Sequence, residues 1–566
     1  MRKQSIKGLA FVAVASTLVT SCDLLKDLDY KVTPSPLEMH ADSVRVKVEV
    51  KFPEKGIKKK ASAEITPVLG GVALKTVTVQ GEKATANGTV IQYKPGGTMV
   101  YTDVVAYQPA FENAVLEVTG KVYKGGKEKK DKFQNQEIAK GTIITPYLVN
   151  NDFRVVYEKD NFQRVIEYTT TAQVNYLKGK SDVRKTELKD KDIMDLQAWL
   201  IQAQANPRIN IKAINITGFA SPEGEVGSND ALSTERATAA KGVILGTAKA
   251  AKNAKAQTEV YNLAGKGEDF DGFKVELAKN MKIKQEDKDL ILRVLQMYAD
   301  PTQRETEMRN LGKSFTELDE SIFPLLRRAE AVVVYDLTGY TDEELKAISV
   351  SDPQKLTIEE LLFTASLTDD VNEKLRVYRE AEKKDASDYR AANNVGAALF
   401  QLGKIAEAKT QFEKANSLKD NAIAKNNLGA VAGITGDRVK AGKLFAQASG
   451  AGDAVSYNKG IIAIKNGKYK DAVAAFGTEN TFNKALAQLL NGNASEATKT
   501  IDASSDKESA QGFYLKAIAA ARLSNLASVV SNLKSAIGKD GAMKAKAGKD
   551  REFLKYAEDA SLSFIK

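Results

Sequence analysis

Few side chains in these 566 residues are of the types that do covalent or metal chemistry. Cys22 is the only cysteine and His40 the only histidine. One cysteine excludes a disulfide within the chain, and one histidine excludes a histidine-based metal cluster. His40 stands at the start of a strand-like stretch, where a lone histidine reads as a surface residue. No Gly-x-Ser-x-Gly elbow and no phosphate-binding loop occurs. Acid pairs such as Asp269 and Asp271 sit in a turn, without a partner base. The sequence therefore points away from an enzyme. The chemistry it offers is acylation at Cys22 and recognition elsewhere.

The surroundings of Cys22 define the first expectation. Arg2, Lys3 and Lys7 precede an uncharged run, Gly8 to Val19. That run is too short to span a bilayer, which takes about 20 residues, and fits the apolar part of a signal peptide. It ends in Val19-Thr20-Ser21-Cys22, which resembles the lipobox of bacterial lipoproteins. The resemblance implies a leader over 1–21 and a diacylglycerol on the Cys22 sulfur, with a further acyl chain on its amine. With Cys22 acylated no thiolate remains for zinc, so no other cofactor and no metal is expected. Several acyl chains anchor firmly, at about 0.8 kcal/mol per buried methylene. The expected location is the outer membrane, with the body on its periplasmic face. Loss of Arg2, Lys3 and Lys7 lowers the formal charge from +10 to +7. This mild excess suits anionic surfaces and is too diffuse for nucleic acid. Lys58-Lys59-Lys60 and Lys127, Lys129, Lys130 are the densest basic spots, both read as turns.

The elements that must carry these groups fall into three regions, following a charged tether over 22–36. Val44, Val46, Val48, Val50 and Phe52 alternate with Arg45, Lys47, Glu49 and Lys51, the pattern of a half-buried strand. Similar runs recur to Val122, punctuated by Gly70-Gly71, Gly96-Gly97 and Gly125-Gly126. An antiparallel β-sandwich over 37–150 is expected. The second region alternates. Strands are expected over Phe162 to Leu177, Ile209 to Ile216, Val260 to Leu263 and Ala329 to Tyr335. Helices are expected over Lys189 to Ala205 and Ser228 to Leu245, which makes an α/β domain.

Within it, Ile216-Thr-Gly-Phe-Ala-Ser-Pro-Glu-Gly224, Asn229, Leu232-Ser233 and Arg236-Ala237 resemble the OmpA-like C-terminal domain. Gly265-Lys-Gly-Glu268 and Leu326-Arg-Arg-Ala-Glu330 match that family's later turn and last strand, in order. The resemblance covers 160–340, with a helical insertion at 272–325. It implies peptidoglycan binding, in which a helix arginine and a loop aspartate grip the wall peptide. Arg236 matches the arginine. Ser221 stands where the family has its aspartate, and Glu223 and Asn229 are the other candidate contacts.

The third region repeats. Gly396, Ala408, Phe412 and Ala415 recur 33 residues later as Gly429, Ala441, Phe445 and Ala448. Gly460, Ala472 and Phe476 continue the series, and Ala517, Val529, Leu533 and Ala536 keep its internal spacing. This resembles tetratricopeptide (TPR) repeats, whose period is about 34. The expectation is an all-α solenoid over 355–540 closed by a capping helix over 541–566. Its inner helices carry Asn393, Asn394, Asn426, Asn427 and Asn458, read as amides that clamp the backbone of a partner peptide. The fold class is thus multidomain: β-sandwich, OmpA-like α/β domain, TPR solenoid. The expected function is an accessory scaffold of an envelope assembly or secretion complex, docking an outer-membrane protein on the repeats. The alternative is a tether between outer membrane and peptidoglycan.

Overall fold

A computed structural model describes residues 24–566 apart from 131, 132 and 257. The chain forms two compact units. One combines the residues up to Glu158 with Asp370–Lys566, and the other is Lys159–Asp369. No helix among the described residues is long and apolar enough to cross a membrane.

The first unit opens with two sheets. In one, Ser43–Phe52 is central, pairing with Asp29–Val32 and Leu37–His40 on one side and Gly97–Ala106 on the other. In the second, Ala61–Leu69 lies between Val115–Lys124 and Val77–Gly81. The alternation expected for residues 44–52 is present: the valines and Phe52 are buried and the charged residues exposed. They meet Ala61, Ala63, Ile65, Leu116, Val118 and Val122 of the second sheet in one core. Two pairings are parallel, Thr142–Ile143 with Leu37–His40 and Val77–Gly81 with Thr89–Ile91, so the sheets are mixed rather than wholly antiparallel.

The tether over 22–36 is corrected. Leu25 is buried against the core beside Ile57, and Asp29–Val32 is a strand. The apolar residues among Leu24, Leu25, Leu28 and Tyr30 pack inward and override the charge pattern.

Residues 370–566 of this unit form stacked helix pairs. Tyr389–Gln401 packs on Ile405–Leu418, Ala422–Ile434 on Arg438–Ala446, and Asp453–Lys465 on Tyr469–Phe476. Phe482–Leu490 with Ala494–Asp502 and Ala510–Arg522 with Leu526–Lys539 complete the series. The sequence spacing has a steric cause. A Cβ on Gly396, Gly429 or Gly460 would lie within 2.7 Å of the ring of Phe412, Phe445 or Phe476 respectively. Glycine on the first helix of each pair lets the aromatic of the second seat against its backbone. The expected capping helix over 541–566 is shorter. Ala542–Lys549 is helical, and two 3-10 turns, Arg551–Tyr556 and Ala560–Ile565, follow.

The second unit is a four-stranded sheet in the order Val165–Asn175, Arg328–Thr338, Ile209–Ala220, Tyr261–Glu268. The last pair is parallel and the others antiparallel. Helices Lys191–Ala205 and Val226–Ala250 contribute to one core with Ala172, Val174, Ile214, Ile216, Ala331 and Val333. A Cβ on Gly218 would approach the Ser233 carbonyl to 1.9 Å, so glycine here is what lets strand and helix meet. The insertion carries helices Phe270–Lys279, Gln285–Met297, Pro301–Arg309, Lys313–Ser321 and Phe323–Leu326 around a core of its own.

Candidate functional site

The most organised polar constellation lies on the inner helices of the repeats. Asn393, Asn394, Asn426, Asn427, Asn458 and Asn483 are buried. Buried amides demand partners, because each carries two donors and an acceptor with two lone pairs. Their partners are backbone groups of the same chain. Residues 149–158, which have no regular secondary structure, run as a strap along the groove.

The strap is gripped rung by rung. The Asn394 Oδ1 accepts from the Glu158 amide at 2.7 Å, and its Nδ2 donates to the Glu158 carbonyl at 3.1 Å. Asn427 holds Val156 in the same way at 2.8 Å for both bonds, and Asn458 holds Arg154, also at 2.8 Å for both. Asn483 holds Asn150 at 2.8 and 3.0 Å. The second row ties the rungs together. Asn393 and Asn426 donate to the carbonyls of Val156 and Arg154, while Asn427 donates to Asn393 and Asn458 to Asn426. Asn394, Asn427, Asn458 and Asn483 thus each bond both the amide and the carbonyl of one strap residue, as a neighbouring β-strand would.

Side chains fix the register. Phe153 enters the solenoid core, stacked on Phe445 at 6.3 Å, and a Cβ on Gly433 would strike its ring at 2.5 Å. The Arg154 guanidinium bonds both Glu479 oxygens, at 2.6 and 2.8 Å, and lies 3.6 Å over the Tyr457 ring. Glu479 holds Arg154 above the ordinary arginine range, and Arg154 in turn pulls Glu479 below the usual carboxylate range. Tyr157 packs on Tyr378 and donates to Gln401 at 2.9 Å; burial pushes its hydroxyl up to about 12. The two sheets also touch the repeats directly. Arg438 forks onto Asp42, Thr145 donates to Glu552, and the exposed His40 ring lies edge-on to Tyr469.

The groove assigned to a partner peptide therefore holds residues 149–158. Asn483 is a fourth rung that the sequence reading missed. Its signal was present, since it stands two residues before Ala485 as Asn458 stands before Gly460.

The candidate wall-binding residues lie in the second unit, and all four are committed internally. Arg236 is 1% exposed, which leaves its guanidinium out of reach of a wall peptide. It donates to the carbonyls of Phe219, Lys180 and Leu177 at 2.8, 3.0 and 3.2 Å, and desolvation lowers it to about 10. Ser221 is buried and its hydroxyl accepts from Arg327 at 3.4 Å. Glu223 forms a two-bond pair with Arg327 at 2.9 and 3.0 Å, and Asp319 of the insertion bonds the same guanidinium at 2.7 Å. Asn229 donates to the carbonyls of Ser221 and Gly224 and to Glu268. Burial, and then a hydrogen bond with the buried Glu305 of the insertion, pushes Glu268 up to about 8. Cys22 lies outside the described residues. Among the described residues no group of three acidic, histidine or cysteine side chains is arranged to hold a metal.

No protein-family profile and no curated protein matches this chain. Solved structures with some likeness include a chain of the APC/C hetero-tetramer Cut9–Hcn1, 13% identical, with a TM-score of 0.32. The match covers 38% of this chain and 46% of that one, so this chain spans less than half of its length. A tetratricopeptide repeat protein from Parabacteroides merdae is 14% identical over 40% of this chain and 90% of its own, at TM-score 0.28. YrrB, a TPR protein with an unusual peptide-binding site, is 20% identical over 37% of this chain and all of its own, at TM-score 0.23. Scores of this size leave the function of this chain to be argued from its own geometry.

Proposed function

We propose that this protein is a lipid-anchored envelope scaffold. Cys22 carries the lipid, the two-sheet body and the repeats form one frame, and that frame is an accessory subunit docking an outer-membrane protein. The observation that carries the reading is the asparagine ladder. Eight hydrogen bonds from four amides join strap to solenoid in addition to the direct contacts of the sheets. Binding energy of that kind, spent inside one chain, produces rigidity, which is what a scaffold requires of its parts. Because the strap fills the groove over four helix pairs, the partner surface of the repeats in this state is their outer face and the last pair, Ala510–Arg522 with Leu526–Lys539.

The test is affinity purification from detergent-solubilised membranes. The wild-type chain should carry a partner in fixed stoichiometry. Asn427→Ala/Asn458→Ala, which frees the strap, should lose it while staying in the membrane fraction. A wild-type chain recovered alone would overturn the scaffold reading. Full release of that same variant from the membrane would contradict anchoring through Cys22.

A further inference from the structure

The lysines of the first basic spot do not scatter once the chain folds. The turn from Pro53 to Lys60 is clasped by three other segments. The Lys58 amide donates to the Leu24 carbonyl at 3.0 Å and the Lys26 amide to the Gly56 carbonyl at 2.9 Å. The Lys83 amide donates to the Lys59 carbonyl and the Lys55 amide to the Tyr93 carbonyl, both at 2.7 Å. These bonds gather Lys26, Lys55, Lys58, Lys60, Lys83 and Lys94 from four stretches of chain. Lys58 and Lys59 share the Tyr93 ring, at 5.9 and 5.2 Å. The acids at hand are few: Glu82 pairs with Lys59 at 2.9 Å, Glu54 pairs with Lys55 at 3.2 Å, and Asp27 stands beside Lys26. Lysines outnumber acids by more than two to one.

The position of this cluster decides its use. Leu24, whose carbonyl Lys58 engages, is two residues from Cys22, a span of at most about 7 Å of extended chain. Leu25 is already in the core, so only Asp23 and Leu24 separate Cys22 from a buried residue of the folded body. We infer that the lysine cluster is a membrane-contact surface that binds the phosphates of anionic lipid headgroups and seats the body flush on the bilayer. The inference rests on the lipid-anchor reading for its orientation, while the binding itself needs no lipid on the protein. Tyr93, under two ammonium groups, has the amphipathic ring that suits the headgroup level. A lysine near an anionic leaflet adds attraction that decays within a Debye length, so contact demands a leash of only a few residues.

The experiment uses the mature chain carrying Cys22→Ala, so that no acyl chain contributes. It is sedimented with vesicles of phosphatidylglycerol and phosphatidylcholine, and with phosphatidylcholine alone. Binding is expected to the anionic vesicles only and to weaken with salt. Lys58→Gln/Lys60→Gln/Lys94→Gln should lower that affinity on the order of a hundredfold. These side chains lie at the surface, and an unchanged circular dichroism spectrum checks the fold. The same change at Lys127, Lys129 and Lys130, the other basic spot, should leave binding intact. No sedimentation with anionic vesicles, or an equal loss in both triple variants, overturns the inference. Fractionation of cells expressing Cys22→Ala reports on the anchor separately. Release there together with vesicle binding here would uphold both readings, and unchanged membrane association with normal maturation would remove the anchor alone.

Discussion

At the scale of single residues, a buried polar group is defined by what it bonds. Arg236 illustrates this: three carbonyls satisfy its guanidinium, and the Tyr176 ring lies 5.4 Å from it. Arg236→Ala would orphan those carbonyls and open a cavity, at a cost of about 3–5 kcal/mol. Urea denaturation should therefore show the unfolding of residues 159–369 moving to lower concentration. The motif made the arginine visible in the sequence, but its role depends on carbonyls from Leu177, Lys180 and Phe219, which no spacing rule brings together. Glu268 gives a pH prediction. Its folded pKa of about 8 lies above the ordinary carboxylate value, so the folded state holds a proton the unfolded chain has already released. The associated stability is complete below about pH 4.5 and is lost as pH rises to about 8. The thermal midpoint of this unit should fall across that window. Glu268→Gln, which keeps a donor toward Glu305, should flatten the fall, and an unchanged slope in the variant would refute the assignment.

At the scale of elements, the strap joins regions that the sequence separates. Phe153 seats against Phe445 and Gly433, so Phe153→Ala should cost about 3–4 kcal/mol through lost burial and the cavity left behind. Its sharper signature is local: limited proteolysis should cut within 149–158 in the variant and not in the wild type. The repeats were legible because glycine and phenylalanine must recur wherever two helices cross closely. The asparagines were legible as a backbone clamp because Asn394, Asn427 and Asn458 each stand two residues before the glycine of their repeat, as in repeats that clamp a peptide backbone. The occupant was not legible. Residues 149–158 show neither helical nor sheet-pairing context, and their order comes from partners between 236 and 333 positions away. The end of the tether failed for a related reason: the charges of Lys26, Asp27 and Asp29 mask leucines that the core recruits. The strand pattern of 44–52 was read correctly, since it depends on local periodicity alone.

At the scale of the whole molecule, the chain leaves its first unit after Glu158 and re-enters it at Asp370. The two ends of this excursion are held on the same structure. Glu158 is clamped by Asn394, and Tyr157 lies under Lys374 and against Tyr378 of the helix Val371–Lys384, which follows the return. The first unit has its own cores, one between its two sheets and one along its solenoid, and none of the clamping bonds involves residues 159–369. A short flexible linker costs little closure entropy when its ends are already near, growing only as the logarithm of its length. Replacing 159–369 by a short Gly/Ser linker should therefore leave the first unit folded, with the strap still seated. The excised segment should fold separately, since its sheet, helices and insertion have their own cores. The check is calorimetry of three chains: the full protein, the linker version and residues 159–369. The two pieces should each melt cooperatively and together account for the full-length trace. A linker version that loses protection of 149–158 against protease would mean that the excursion, rather than the asparagine ladder, holds the strap in place.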